Sequence, residues 1–225
     1  MLEKNRRKNL RLKMRGIVIL ILAAAFLALA TVEVVLETDG DSYVRYYEEW
    51  ESEPQYADDN YGAEPLMYVL YNYYQWGEDS ERAYMHFDFS GLDGYDGADL
   101  VGAQLVLHAE HGGGGPQRFR AVAEAWDEMT ITYNNQPSWG GQLALTEMYA
   151  GYNYVDLNTG PLAGWVDAPK TAYGIVIHDT EQVQEYDPSA KIHTRETEYS
   201  PELWLTFTGE AVAESSWGEI KAAFE

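Results

Sequence analysis

Glu81-Arg82-Ala83-Tyr84-Met85-His86-Phe87-Asp88-Phe89 is the stretch that decides the fold. Ala83, Met85, Phe87 and Phe89 fall on one side of a period-two pattern, and Arg82, Tyr84, His86 and Asp88 on the other. Successive side chains of a strand point to opposite faces, so the pattern predicts a β-strand with one buried face. Leu100 to His108 repeats it, with Val101, Ala103, Leu105 and Leu107 in register.

Working outward from this pair, the chain continues as short extended runs between turn signals. Val32 to Leu36 and Ser42 to Tyr46 read as two strands separated by the turn-rich Thr38-Asp39-Gly40-Asp41. Glu48 to Glu64 is polar and acidic and reads as a loop, followed by a β-branched and aromatic strand from Leu66 to Tyr74. Ser90 to Asp99 is a loop, and Glu110 to Pro116 contains four consecutive glycines. Further strands are expected over Arg118–Ala125, Tyr152–Leu157, Ala172–Ile177 and Leu203–Phe207, with Asn134–Gln142 and Pro188–Tyr199 irregular. Thr159 to Val166 reads as one short helical turn capped by Thr159. About nine or ten strands with almost no helix predict an all-β domain, a jelly-roll-like antiparallel β-sandwich, over residues 31–209.

The segments before and after that domain differ in composition. Residues 1–15 hold seven basic side chains, and Gly16 to Ala30 is apolar throughout and closes on Ala28-Leu29-Ala30. A basic n-region, a short apolar h-region and an A-x-A end predict a secretory signal peptide over residues 1–30. The rival is an uncleaved hydrophobic anchor helix held cytoplasm-in by its basic flank. Cleavage would leave an extracellular or cell-surface protein with no membrane segment. Residues 210–225 read as a short helical tail, with Ser215-Ser216 as cap and Trp217, Ile220 and Phe224 on one face.

Charge and cysteine content limit the partners. The whole chain carries a net charge of −22. Without residues 1–30 it holds 8 basic and 36 acidic residues, a net of −28. Such a field repels nucleic acid and anionic lipid, and it disfavours polyanionic glycans unless the basic residues cluster. There is no cysteine, so disulfides, thiolate metal sites and thiol catalysis are excluded. Stability must come from a core, which 18 tyrosines and seven tryptophans can help to build.

No nucleophile elbow, phosphate loop, zinc-protease helix or EF-hand occurs in the sequence. His108-Ala109-Glu110-His111 is the nearest approach to a metal motif, but two histidines three apart at a strand end point to opposite faces. Asp93, Asp96 and Asp99 in a glycine-rich loop, and Asp58-Asp59-Asn60, are candidate oxygen ligands for a structural Ca²⁺. Catalytic carboxylate pairs cannot be selected among so many acids, because only geometry distinguishes them. The aromatics carry more information. Tyr73, Tyr74 and Trp76 crowd one strand and its exit, and Tyr149, Tyr152 and Tyr154 form a second group. Exposed rings of this kind stack on the apolar faces of sugars, and Asn134 and Asn135 are candidate loop-amide partners for sugar hydroxyls.

Several segments, in order, are similar to one family. They are Asp41-Ser42-Tyr43-Val44-Arg45, Asn60-Tyr61-Gly62, Glu81 to Ser90, Val122 to Pro137 with its W-x-E-x-T-I-T-x-N-N-x-P string, Asp156-Leu157-Asn158 with Gly164-Trp165, Tyr173-Gly174-Ile175, and Thr194-Arg195-Glu196 followed by Pro201-Glu202-Leu203. Together they resemble the DNRLRE domain, the disaggregatase-related family 96 of carbohydrate-binding modules, from about residue 32 to 208. The resemblance implies a jelly-roll sandwich in secreted or surface-attached proteins that accompany polysaccharide-degrading enzymes, some of them binding alginate-like or cell-wall polysaccharides. Among the matched residues, Arg82, Asp88, Trp126, Glu128, Arg195 and Glu196 are expected to form charge-assisted pairs that set loop geometry rather than to touch sugar.

The leading expectation is therefore a non-catalytic extracellular module whose partner is a polysaccharide or cell-surface glycan. A second is a fibre or matrix subunit that self-assembles by lending Thr31–Leu36 to a neighbour's sheet edge. A third is a polysaccharide lyase or hydrolase, which requires a cleft where acid, base and Tyr or Arg groups converge.

Overall fold

The computed structural model describes residues 31–49, 53–74, 77–113, 115–179 and 190–209. The expected signal or anchor segment, the C-terminal tail and Trp76 lie outside the described residues, as do the side chains of Tyr73 and Tyr74.

Among the described residues ten strands form: β1 (Thr31–Glu49), β2 (Leu66–Tyr74), β3 (Gly77–Phe87), β4 (Leu100–His111), β5 (Pro116–Val122), β6 (Trp139–Glu147), β7 (Gly151–Asp156), β8 (Ile175–Asp179), β9 (Ala190–His193) and β10 (Glu202–Thr208). One nine-residue helix, α1 (Thr159–Asp167), joins β7 to β8. All the strand pairings are antiparallel, and they make two layers that share strands β1 and β2. The first half of β1 pairs with β10 in one sheet, and its second half pairs with β3 in the other. Likewise, Leu66–Val69 of β2 pairs with β9, and Leu70–Tyr74 pairs with β3. Strands that switch sheets lock the corners of a sandwich. The first sheet is thus built of β1, β10, β4, β7, β9 and β2, and the second of β1, β3, β2, β8, β5 and β6.

The turn expected at Thr38–Asp41 is not a turn. It is a bulge within β1, where Asp39 is left over between the pairs Thr38↔Phe87 and Gly40↔His86. The Thr38 hydroxyl donates to the His86 carbonyl at 3.0 Å, so the same turn-prone residues redirect one strand from one sheet to the other. A second bulge corrects the reading of β4. Leu100 pairs with Phe207 and Gly102 with Thr206, so Val101 drops out of phase. Val101 is 55% exposed, and Leu100 takes the core position. Two strands lie where loops were expected. Trp139–Glu147 is an edge strand on which Leu143 alone is buried, and Ala190–His193 is four residues long. Neither carries enough alternation to announce itself. The helix cap also moves by one residue: Asn158, not Thr159, accepts the Gly160 N–H at 3.0 Å.

The main core lies between the sheets and includes Met67, Val69, Met85, Phe87, Leu105, Leu107, Phe119, Ile175, Ile177, Leu205 and Phe207. Helix α1 closes one end by burying Leu162, Trp165 and Val166. A second cluster sits on the outer side of the second sheet, where Val44, Tyr84, Val122, Ile131 and Val176 are buried against Trp126, Tyr133, Trp139 and Tyr173. Hence β3 is covered on both faces: Tyr84 is as buried as Met85, against the one-sided burial its alternation predicts. Thr31–Leu36, the expected donor for strand exchange, is paired along β10 of its own sheet.

Candidate functional site

The two outer faces of the sandwich are built differently. Over the second sheet, residues 123–138 fold back as a cover. Trp126 Nε1 donates to the Tyr173 carbonyl at 2.7 Å, and Ile131 is buried among Val44, Tyr84 and Val176. Asn60 pins the cover by donating from Nδ2 to the carbonyls of Glu128 and Ile131, each at 2.8 Å. Gly62 explains why a glycine follows: a Cβ there would lie 2.2 Å from the Glu128 carbonyl oxygen. Between them, Tyr61 stacks on Tyr43 at 4.2 Å. The Asn60-Tyr61-Gly62 and Trp126–Pro137 strings are thus two halves of one clasp.

Glu128 carries the clasp into a charge cluster that runs from the buried Asp41 out to the exposed Arg195 and Glu196. Its Oε1 accepts the Asp41 N–H at 3.0 Å, and its Oε2 pairs with Arg195 Nη2 at 2.5 Å. Arg195 also donates Nη1 to the Asp39 carbonyl at 2.5 Å and Nε to Glu196 at 3.3 Å, while its own N–H reaches Asp41 Oδ2 at 2.8 Å. Burial pushes the Asp41 carboxyl up to about 7, opposed by the Arg195 amide and reinforced by Glu196 and Glu128. The other named motif residues sit apart from this cluster. Arg82 bonds Gln136 and Tyr133 rather than a carboxylate, and Asp88 is exposed and caps Ser90.

What the cover leaves open on the second sheet is basic. Arg118 lies opposite His178 and Arg120 opposite Val176 across the β5–β8 pair, with Arg82 on nearby β3. Trp139 stacks on His178 at 4.7 Å, and the Arg82 guanidinium lies 5.0 Å above the Trp139 ring. Arg82, Trp139 and His178, with Glu78, Ser80 and Asp179, line a cleft of about 300 Å³. His178 donates Nδ1–H to the Asp179 carbonyl, which leaves Nε2 an acceptor with no partner among the described residues. Burial, with Arg82, Arg118 and Arg120 assisting, drops its pKa to about 4.

The first sheet has no such cover among the described residues. Its outer face carries Tyr152 and Tyr154 from β7, His108 from β4, His193 from β9, Trp204 from β10, and Tyr199 from the loop before β10. Tyr152 is 60% and Tyr154 58% exposed. His108 stacks on Tyr199 at 4.2 Å, Tyr152 meets His108 edge-on at 4.8 Å, and Tyr154 lies 6.4 Å from both Tyr152 and Trp204. Trp204 Nε1 is held by Glu202 at 2.7 Å, and Gln104 and Asp156 bond each other at 2.8 Å beside the rings. The result is a continuous aromatic surface with amide and carboxylate groups at its edge.

The sequence model of carbohydrate-binding module family 96 matches residues 33–207. The chain belongs to this family. No curated protein matches it.

The family 96 module places the remaining expected residues as follows. Asn134 Nδ2 is taken by Asp58 at 2.8 Å, and Asn135 spends its amide on Thr130 and Thr132 within the cover. Asn135 still lines a cavity of about 420 Å³ within the cover with Trp126, Asp127, Thr130 and Ile131. Asp96 caps a 3-10 turn through Ala98, and Asp99 accepts from Thr208. Asp93 lies on the same turn-rich loop, exposed, and Asp59 closes a backbone turn on Tyr56. Among the described residues the carboxylates that gather in a group of three are instead Asp41, Glu128 and Glu196. His108 and His111 diverge: the first joins the aromatic surface and the second is exposed at the end of β4.

One cleft of the module does gather acid, base and tyrosine groups. Tyr43, Arg45, Tyr68, Asp79, Glu81 and Lys191 line about 320 Å³ where β1, β2, β3 and β9 meet. Burial raises Glu81 to about 7, against the pull of Arg45. Arg45 ties Glu81 at 3.2 Å and Asp79 at 3.6 Å, and its guanidinium packs 4.5 Å from the Tyr56 ring centroid. Both acids are held on one cation.

Proposed function

We propose that this module binds a neutral polysaccharide chain along the outer face of its first sheet, without breaking bonds. The observation that carries the reading is the exposure of Tyr152 and Tyr154 in line with Trp204 and the His108–Tyr199 stack. Rings set side by side on a sheet present their π-faces and edges to successive sugar units, and their apolar surface is what a sugar's C–H face covers. Gln104, Asp156 and Glu202 stand at the rim to take sugar hydroxyls. The net charge of −28 over residues 31–225 favours an uncharged chain. Affinity should be modest, since a long flexible ligand loses freedom on binding and few groups grip it.

A non-catalytic role is supported by the way Arg45 pairs with both acids of the Tyr43–Lys191 cleft. Polysaccharide binding and the basic-then-apolar start of the chain both favour a cell-surface or extracellular setting. A second reading has a specific observation behind it: Arg82, Arg118 and Arg120 converge around Trp139 and His178. A uronate carboxylate would pair there with the Arg82 guanidinium, supported by the field of Arg118 and Arg120.

A glycan array carrying neutral and uronic acid polymers, followed by calorimetry on hits and product analysis, separates these readings. Neutral hits lost in Tyr152→Ala/Tyr154→Ala support the first. Uronate hits lost in Arg118→Ala/Arg120→Ala support the second. New reducing ends or unsaturated products would refute the non-catalytic role.

A further inference from the structure

We infer that Asp41, Glu128 and Glu196 form a binding site for one hard divalent cation of the Ca²⁺ class, at the corner where β1 passes from one sheet to the other. The three residues come from β1, from the cover over the second sheet and from the loop after β9, and each offers a carboxylate oxygen within 4.8 Å of the other two. Ca²⁺ takes oxygens at about 2.3–2.6 Å, so two ligands facing each other across it stand roughly 4.6–5.2 Å apart. The three carboxylates are within reach of one shared ion.

The observation that singles this cluster out is an oxygen left over. Asp41 is 1% exposed, and its Oδ1 is buried with no hydrogen-bond partner among the described residues. A buried carboxylate oxygen without a donor costs about 1–3 kcal/mol or more, so something is expected to meet it. Arg195 is the nearby cation, and none of its hydrogen bonds reaches Asp41 Oδ1: Nη1 donates to the Asp39 carbonyl, Nη2 to Glu128 Oε2, Nε to Glu196 Oε1 and the backbone N–H to Asp41 Oδ2. Three carboxylates face one guanidinium, and the difference is the charge of a divalent ion. Glu196 keeps a side-chain exposure of 31%, which gives water access to the open coordination positions. The aspartates that the sequence offered for this role, Asp93, Asp96 and Asp99, do not join this cluster.

A bound ion would tie the start of the domain, the cover and the last loop at one point, so its effect is read in stability as well as in binding. The test uses the full chain, stripped with chelator, titrated with CaCl₂ and separately with MgCl₂ by calorimetry, with thermal melts at matched ionic strength to remove general charge screening. The expected result is one saturable Ca²⁺ site, a melting temperature raised by several degrees at saturation, and weaker Mg²⁺ binding, because Mg²⁺ demands a tighter octahedron. Glu196→Gln keeps the hydrogen bond to Arg195 and removes one charge. It should fold as well as the parent without Ca²⁺ and lose at least tenfold in Ca²⁺ affinity. Asp93→Asn/Asp96→Asn should change nothing. The inference is overturned if Ca²⁺ gives no saturable heat or melting shift, if Glu196→Gln leaves the affinity intact, or if the Asp93/Asp96 variant abolishes it. None of these outcomes depends on which sugar the module takes.

Discussion

The outer faces of the two sheets start from the same material and end differently. Both carry aromatic rings and histidines on alternate positions of antiparallel strands. On the second sheet the rings are used up: Tyr84 is buried, Trp126 is bonded to Tyr173, and Tyr84 Oη takes Trp139 Nε1 while donating to Gln136. On the first sheet Tyr152 and Tyr154 lie more than half in water. Rings packed in a core are costly to remove, whereas exposed rings cost little to remove and are free to meet a partner. The family's most recognisable string therefore marks the face that is sealed, while the face proposed to bind sugar lies outside that string.

Four mutations are ways to break or sharpen this contrast. The largest effect should come from the sealed face. Ile131→Ala removes a side chain 2% exposed and should cost about 3 kcal/mol in denaturant melts. Gly62→Ala should act in the same direction by driving a methyl into the Glu128 carbonyl. If Ile131→Ala melts like the parent, the cover is not part of the fold.

The next effect is a pH dependence on the same face. The His178 pKa falls from an ordinary 6.5 to about 4 because the ring is buried beside three arginines. A base with a depressed pKa contributes stability that is present above pH 6.5 and lost as pH falls through about 4. His178→Phe keeps a ring against Trp139 and cannot be protonated. It should flatten the acid-side loss by roughly 2 kcal/mol relative to the parent between those limits. Equal slopes for parent and variant would show that His178 is well hydrated.

The smallest effect belongs to the open face. Tyr152→Ala should shift stability by less than about 0.5 kcal/mol, because surface substitutions away from buried networks rarely do more. A loss above about 2 kcal/mol would mean that the aromatic surface is structural after all.

Much of the fold is legible in the sequence because its core strands alternate cleanly. Glu81–Phe89 and Tyr152–Leu157 need nothing but period two to be read. Where the reading slipped, a bulge or an edge was responsible. Val101 falls out of phase through the one-residue bulge against β10, and Trp139–Glu147 hides because an edge strand with one buried residue has no hydrophobic rhythm. The alternation puts Tyr84 on an open side because the chain that covers it, Ile131 and Trp126, lies over forty residues away. The candidate site was half legible. Tyr152 and Tyr154 are two apart and share a face, but His108, His193 and Trp204 join them only through strand register, and Tyr199 only through the loop before β10. Asp41, Glu128 and Glu196 meet only because β1, the cover and the last loop converge at the sheet corner, which no local pattern records.

The measurement that tests the central claim most directly is calorimetric titration of the folded Tyr152→Ala/Tyr154→Ala variant with the best neutral polysaccharide found for the parent. Loss of about 1 kcal/mol per ring predicts binding weaker by roughly 30-fold with an unchanged melting temperature. Parent-like affinity in that variant would contradict the account and move the sugar to another face of the sandwich.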